Sequence, residues 1–201
     1  MNKWIVLLTT AVQNVKFSKA EVAYRKSLYN FHIKQWLNKT NLSIFVVEST
    51  GYTFPELKHP RLTIISLNLN EQYLGSSSVA EAHSIMYILK QIKNDIRFQN
   101  CSHILKVTGR YFLENIENKL SNVTQNLDLY LQIHRNNDIK WQHTEYYGVR
   151  KELLYNMMDD VKLNLMEHSM YDFSKKYKYC TLGPFYNKVA RGGDNMIIEY
   201  L

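Results

Sequence analysis

Two cysteines, three prolines and seven glycines in 201 residues are few. Cys101 and Cys180 cannot make a disulfide scaffold. They cannot build a structural zinc site either without clustered histidines. The seven histidines (32, 59, 83, 103, 134, 143 and 168) contain no His-x-x-x-His pair. So little Gly and Pro excludes collagen-like and low-complexity chains. No apolar run approaches the roughly 18 residues that span a bilayer. No Gly-x-Gly-x-x-Gly follows the first strand-like segment, which argues against a nicotinamide or flavin site. There is also no P-loop and no Gly-x-Ser-x-Gly elbow.

What is present is an ordinary globular composition, 45% hydrophobic and 13% aromatic. Length predicts one domain. The apolar stretch at the start is too short for a signal-peptide core, so the expected location is cytoplasmic. The asparagine-rich glycosylation sequons carry no weight in that setting. Lys and Arg number 25 against 18 acids, a net charge of +7. They are spread along the chain without a nucleic-acid-binding signature, so no nucleic-acid partner is expected. A solvated basic surface, or peripheral association of that surface with anionic lipid, fits better.

Hydrophobic periodicity predicts strands at 3–9, 43–48, 61–67 and 103–108, with helices at 19–37 and about 79–93. Ser18 and Glu21 read as a capping box for the first helix. The later chain predicts helices at 112–121, about 150–160 and 164–177, strands at 128–134 and 146–149, and turns at Gly183-Pro184 and Gly192-Gly193. Strands alternating with helices imply a mostly parallel sheet covered on both faces. Ligands of such sheets bind beyond the carboxyl ends of the strands. Those ends are Thr9-Thr10, Glu48-Ser49 and Thr108-Gly109-Arg110.

Three strings then carry a resemblance: Val46-Val47-Glu48-Ser49-Thr50-Gly51-Tyr52, the loop and helix start from Gly75 to Glu81, and Lys106-Val107-Thr108-Gly109-Arg110-Tyr111. Over roughly residues 3 to 195 the chain resembles small bacterial and viral nucleotide-sugar-dependent glycosyltransferases of the glycosyltransferase-A fold. The resemblance implies a single Rossmann-like α/β domain with a mostly parallel sheet flanked by helices. Residues 1–111 would hold the nucleotide sugar and 112–201 the acceptor. It also implies a role in polysaccharide biosynthesis.

Many relatives of this kind carry an Asp-x-Asp that holds Mg²⁺ or Mn²⁺. Here Thr108-Gly109-Arg110 stands in its place, without the carboxylates such cations prefer. No metal ligand is assigned, although other carboxylates could still meet in space. A guanidinium can neutralise a diphosphate by forked hydrogen bonds. Arg110 is thus expected to assist departure of the nucleoside diphosphate, with Lys106 or Arg191 in support. The plain alternative is a strand-end salt bridge. Donor contacts are expected from Thr9, Thr10, Glu48, Ser76, Ser78, Glu81, Lys106, Thr108, Gly109 and Arg191. Against this, the serines read equally as helix caps and Glu48 as a loop-capping acid.

The stretch from Trp141 to Lys151 resembles the acceptor-receiving strand and turn. Trp141, Glu145, Tyr146 and Tyr147, with Asp194 in a late loop, suit a sugar ring, since aromatic faces pack on its C–H face. An aromatic core is the alternative. Glu167 matches the position of a general base, with His168 beside it in an ambiguous register. Either also reads as a helix surface residue. The expected reaction is inverting transfer of a sugar to a hydroxyl of a glycan or lipid-linked acceptor. A non-catalytic module binding nucleotide or sugar within a larger assembly is the rival.

Overall fold

A computed structural model describes residues 3–70, 76–123, 127–132, 140, 142–161, 165–183, 189–190 and 197–198. The first strand, β1 (Trp4–Thr10), is buried along its whole length because it lies mid-sheet with both faces covered. Its partners are β2 (Ser43–Glu48) and β4 (His103–Thr108), and β3 (Leu62–Ser66) lies outside β2. All four run parallel. The sheet continues through β6 (Tyr146–Arg150), β5 (Leu129–Leu131) and β7 (Tyr179–Thr181), giving the order β3-β2-β1-β4-β6-β5-β7. Strand β6 is antiparallel to both β4 and β5, while β5 and β7 are parallel. The expected mostly parallel α/β sheet is therefore the one observed. A short hairpin, β8 (Val189–Ala190) with β9 (Ile197–Ile198), stands apart.

Alternation along the strands builds two cores. Trp4, Val6 and Leu8 of β1 face α1 (Lys19–Lys39) and α4 (Ile116–Ser121). Ile5 and Leu7 face α2 (Ser77–Ile92), α5 (Lys151–Asp160) and α6 (Met166–Ser174). One short helix, α3 (Ile96–Gln99), precedes β4. Helix α1 begins as its sequence predicts. Ser18 accepts from the Glu21 amide and Glu21 accepts from the Ser18 amide, a complete capping box.

Several boundaries differ from expectation. Helix α2 starts two residues early, because Ser76 caps it through the Val79 amide at 3.3 Å. Glu81 consequently lies beyond the first turn. Residues 112–115 are not helical, and α4 begins only at Ile116. The strand expected over 128–134 is limited to Leu129–Leu131 among the described residues. Helix α6 covers only part of 164–177. Pro184, Gly192 and Gly193 lie outside the described residues, as does Gly75.

Candidate functional site

The parallel strands β1, β2 and β4 all end on one edge of the sheet. A cavity of about 530 Å³ opens there. Its wall combines the strand-end residues Thr9, Thr10, Ser49, Thr108 and Arg110 with Ser77, Ser78 and Glu81 of α2. The other side comes from His143, Thr144 and Glu145 before β6, and Met166 and Glu167 at the start of α6. Six regions separated in sequence thus meet at the place the topology marks for a ligand.

The exits of β1 and β4 touch closely. The Gly109 amide donates to the Thr9 carbonyl at 2.8 Å. A Cβ at Gly109 would stand 2.5 Å from Thr10 Cγ2 and 3.0 Å from the Thr9 carbonyl oxygen. No side chain fits there, which is why glycine separates Thr108 from Arg110. Arg110 is then carried into the cavity wall. Among the described residues its buried Nε has no hydrogen-bond partner. A guanidinium in a cavity wall can pair with an anion that enters the cavity.

A buried ion pair sits behind this edge. Lys106 is fully buried, and its Nζ lies 2.8 Å from Glu81 Oε1. The ammonium also donates to the Thr144 carbonyl at 2.9 Å and the Thr108 hydroxyl at 3.3 Å. Thr9 donates its hydroxyl to the same Glu81 oxygen. Lys106 therefore does not line the cavity itself. It fixes Glu81, Thr108 and the 144 segment, which do.

Glu48 is also placed away from the wall. It is fully buried, and its carboxylate accepts from the amides of Val12, Thr50 and Tyr52, each at 2.8 Å, and from the Thr50 hydroxyl. Such saturation ties the loops after β1 and β2 together and leaves the carboxylate no ligand-facing side. Ser76 is occupied as a cap. Tyr146 and Tyr147 are core residues with no exposed surface. Tyr146 donates to the Gly183 carbonyl at 2.6 Å, and burial raises its hydroxyl pKa. Burial, and then the charge of Glu81, likewise hold Tyr147 well above the usual tyrosine range. Both faces of the sheet are covered here, so neither ring can offer itself to a sugar.

Glu167 lies in the first turn of α6 and lines the cavity. Its Oε1 accepts from the Thr144 hydroxyl at 3.3 Å, and its carbonyl accepts from the Gln142 amide at 3.2 Å. His168 is turned elsewhere, its Nδ1 lying 2.9 Å from the Lys140 carbonyl. Glu167 thus lines the cavity and His168 does not. Glu145 lines the cavity too, with His143 Nδ1 3.5 Å from its carboxylate. Trp141, Arg191 and Asp194 lie outside the described residues.

Asn14, Phe17, Arg25 and Tyr29 also line the cavity. Arg25 stacks on Phe17 at 3.9 Å and donates to the Tyr29 hydroxyl at 3.3 Å. The signal available for Arg25 was helical phase. It lies four residues before the buried Tyr29, on the same inward stripe.

Among the described residues no three His, Cys, Asp or Glu side chains come together as ligands. Glu81, one of the carboxylates lining the cavity, is paired with Lys106.

No family model matches the sequence, and no curated relative matches it. Solved structures do match the fold. A protein assigned as a nucleotide-diphospho-sugar transferase from Desulfovibrio desulfuricans G20 superposes with a TM-score of 0.57 at 11% identity, over 91% of this chain and 80% of that one. The inositol-1-phosphate CTP transferase from T. maritima gives 0.55 at 10% identity, over 90% and 86%. HddC from Yersinia pseudotuberculosis gives 0.51 at 12%, over 89% of each chain. The chain thus has the single-domain α/β fold found among nucleotide-sugar transferases.

Proposed function

We propose that the chain transfers a sugar from a nucleotide-sugar donor to a hydroxyl of a glycan or lipid-linked acceptor. The observation that carries this reading is Arg110. Its guanidinium lies in the cavity wall at the β4 carboxyl end, with a buried Nε that no described residue pairs. A diphosphate is the anion whose geometry and charge suit it. Residues 1–111 would hold the donor, with Thr9, Thr10, Ser78, Glu81 and Thr108 around it. Residues 112–201 would receive the acceptor near Glu145 and Glu167. The acceptor hydroxyl attacks the anomeric carbon from the face opposite the diphosphate. Its proton passes to the Glu167 carboxylate. The anomeric C–O bond breaks, its electron pair goes to the diphosphate, and Arg110 balances that charge. This direct displacement inverts the anomeric configuration.

A second reading is nucleotidyl transfer, favoured by the shared fold of the T. maritima CTP transferase. A sugar-phosphate oxygen would then attack the α-phosphorus of a nucleoside triphosphate and release pyrophosphate. HddC has been solved with GMP-PN, which shows a nucleotide analogue bound to one protein of this fold.

Thermal shifts with UDP-, GDP-, CMP- and dTDP-sugars, each with Mn²⁺ or with EDTA, test the donor pocket. Ligand at about 100 times its Kd adds about 2.7 kcal/mol of stability. A shift that survives EDTA and falls away in Arg110→Gln supports the reading. With the matching acceptor, Glu167→Gln is expected to lower kcat by about 100-fold or more while keeping the donor shift. Unchanged turnover overturns Glu167 as the base. Pyrophosphate release from a triphosphate favours the second reading. A donor shift with no product from either assay favours a binding module.

A further inference from the structure

Helix α1 and its lead-in, residues 15–39, contain six basic residues (Lys16, Lys19, Arg25, Lys26, Lys34 and Lys39) and one acid, Glu21. Five of the chain's seven net positive charges therefore reside in this one segment. The same helix is apolar on two opposite sides. Tyr29, Ile33 and Trp36 point into the core. Tyr24 and Phe31, seven residues apart and so on one face, point outward and are 63% and 56% exposed. Val15, in the lead-in, is 73% exposed. Single exposed apolar groups are ordinary, but these two aromatics lie in line, with Lys34 on the flank of the same side and Lys16 and Lys19 toward the helix start.

The lysines differ in their neighbours. Lys39 pairs with Glu114 at 3.7 Å, and Lys26 lies over the Tyr52 ring near Glu56. Lys16, Lys19 and Lys34 are exposed and enter no ion pair among the described residues. This combination suits an interface of two layers, anionic outside and apolar beneath. Rings enter the acyl boundary while lysines stay among the headgroups. The patch begins beside the cavity, since Asn14 and Phe17 on either side of Val15 both line it.

We propose that the outward face of α1, with Val15, docks on an anionic lipid surface. This extends the transferase reading by bringing a lipid-borne acceptor to the mouth of the cavity, and it rests on that reading only for the acceptor. Docking itself is measured without any donor, so the two ideas fail separately.

The test is sedimentation of the full chain with phosphatidylcholine vesicles, with and without about 30% phosphatidylglycerol. Two variants accompany it, Tyr24→Ser/Phe31→Ser and Lys16→Gln/Lys19→Gln/Lys34→Gln. Binding is expected only to the anionic vesicles and weakens at high salt. Each variant is expected to lower partitioning about tenfold or more, with its melting temperature and its nucleotide-sugar response unchanged. Absence of binding, equal binding to neutral vesicles, or variants that bind like the parent would overturn the proposal. So would a dimer in analytical ultracentrifugation that the aromatic variant dissolves, which would assign the face to a second copy of the chain.

Discussion

At the scale of single residues, the Glu81–Lys106 pair is unequal. Lys106 is fully buried, whereas the Glu81 side chain keeps 24% of its exposure through the cavity. A carboxylate that loses its partner there can take up water. An ammonium that loses its partner keeps the Thr144 carbonyl, the Thr108 hydroxyl and the face of the Tyr147 ring. Stranding a buried charge costs about 3–5 kcal/mol, and an apolar replacement of similar shape costs less. Glu81→Ala is therefore expected to destabilise by about 3 kcal/mol and Lys106→Met by about half of that. In the double variant most of the Glu81→Ala loss is recovered. Urea unfolding of all four proteins gives the coupling directly. If Lys106→Met proves the costlier single change, the pair is not organised around its buried ammonium.

At the scale of elements, the site depends on how closely β1 and β4 exit together. Gly109→Ala forces a methyl to within 2.5 Å of Thr10 Cγ2, and Thr10 is itself buried. Relief requires the two strand ends to part, which shifts Arg110. Overpacking of this kind costs about 1–3 kcal/mol. The expected outcome is a lower melting temperature together with weaker donor response, and a variant that melts and binds like the parent would refute the close-approach argument. These strands were legible in the sequence because a buried parallel strand is a mostly apolar run, broken in β4 only by Lys106, and β2 and β4 end at Glu48 and Thr108. Helix α1 was legible through its capping box. The start of α2 was not, because Ser76, Ser77 and Ser78 are equally good caps by composition, and only geometry selects Ser76. Tyr146 and Tyr147 could not be told from acceptor-facing rings, since a strand covered on both faces buries consecutive residues and erases the alternation that would separate them. Glu48 misled for a related reason: a carboxylate at a strand end binds ligand or backbone amides equally well, and here four protein donors arrive first. Arg25 went unnoticed because only the folded helix reveals that its inward stripe reaches the cavity.

At the scale of the whole molecule, stability is coupled to pH through two histidines, one in α1 and one in β4. Burial pushes His32 down to about 4 from its ordinary 6.5. His103 is also lowered, first by burial in the sheet, where its Nδ1 lies 2.9 Å from the Ser102 hydroxyl and its Nε2 3.0 Å from the Leu127 carbonyl. Both rings are therefore neutral in the folded chain at pH values where the unfolded chain already protonates them. Between about 6.5 and 4 the unfolded state binds more protons, so stability is full above 6.5 and declines as pH falls through that window. The lowered carboxylates act in a different range. Glu56 and Asp95, held down by hydrogen bonds and a neighbouring cation, lose their contribution only as pH falls below about 4.5. Urea midpoints measured between pH 7 and 5 thus isolate the histidines. The midpoint is expected to fall steadily over that range, and His32→Leu is expected to flatten the slope. A midpoint that is level from 7 to 5 would mean that both rings charge in place without cost, and a slope unaltered by His32→Leu would assign the coupling to His103.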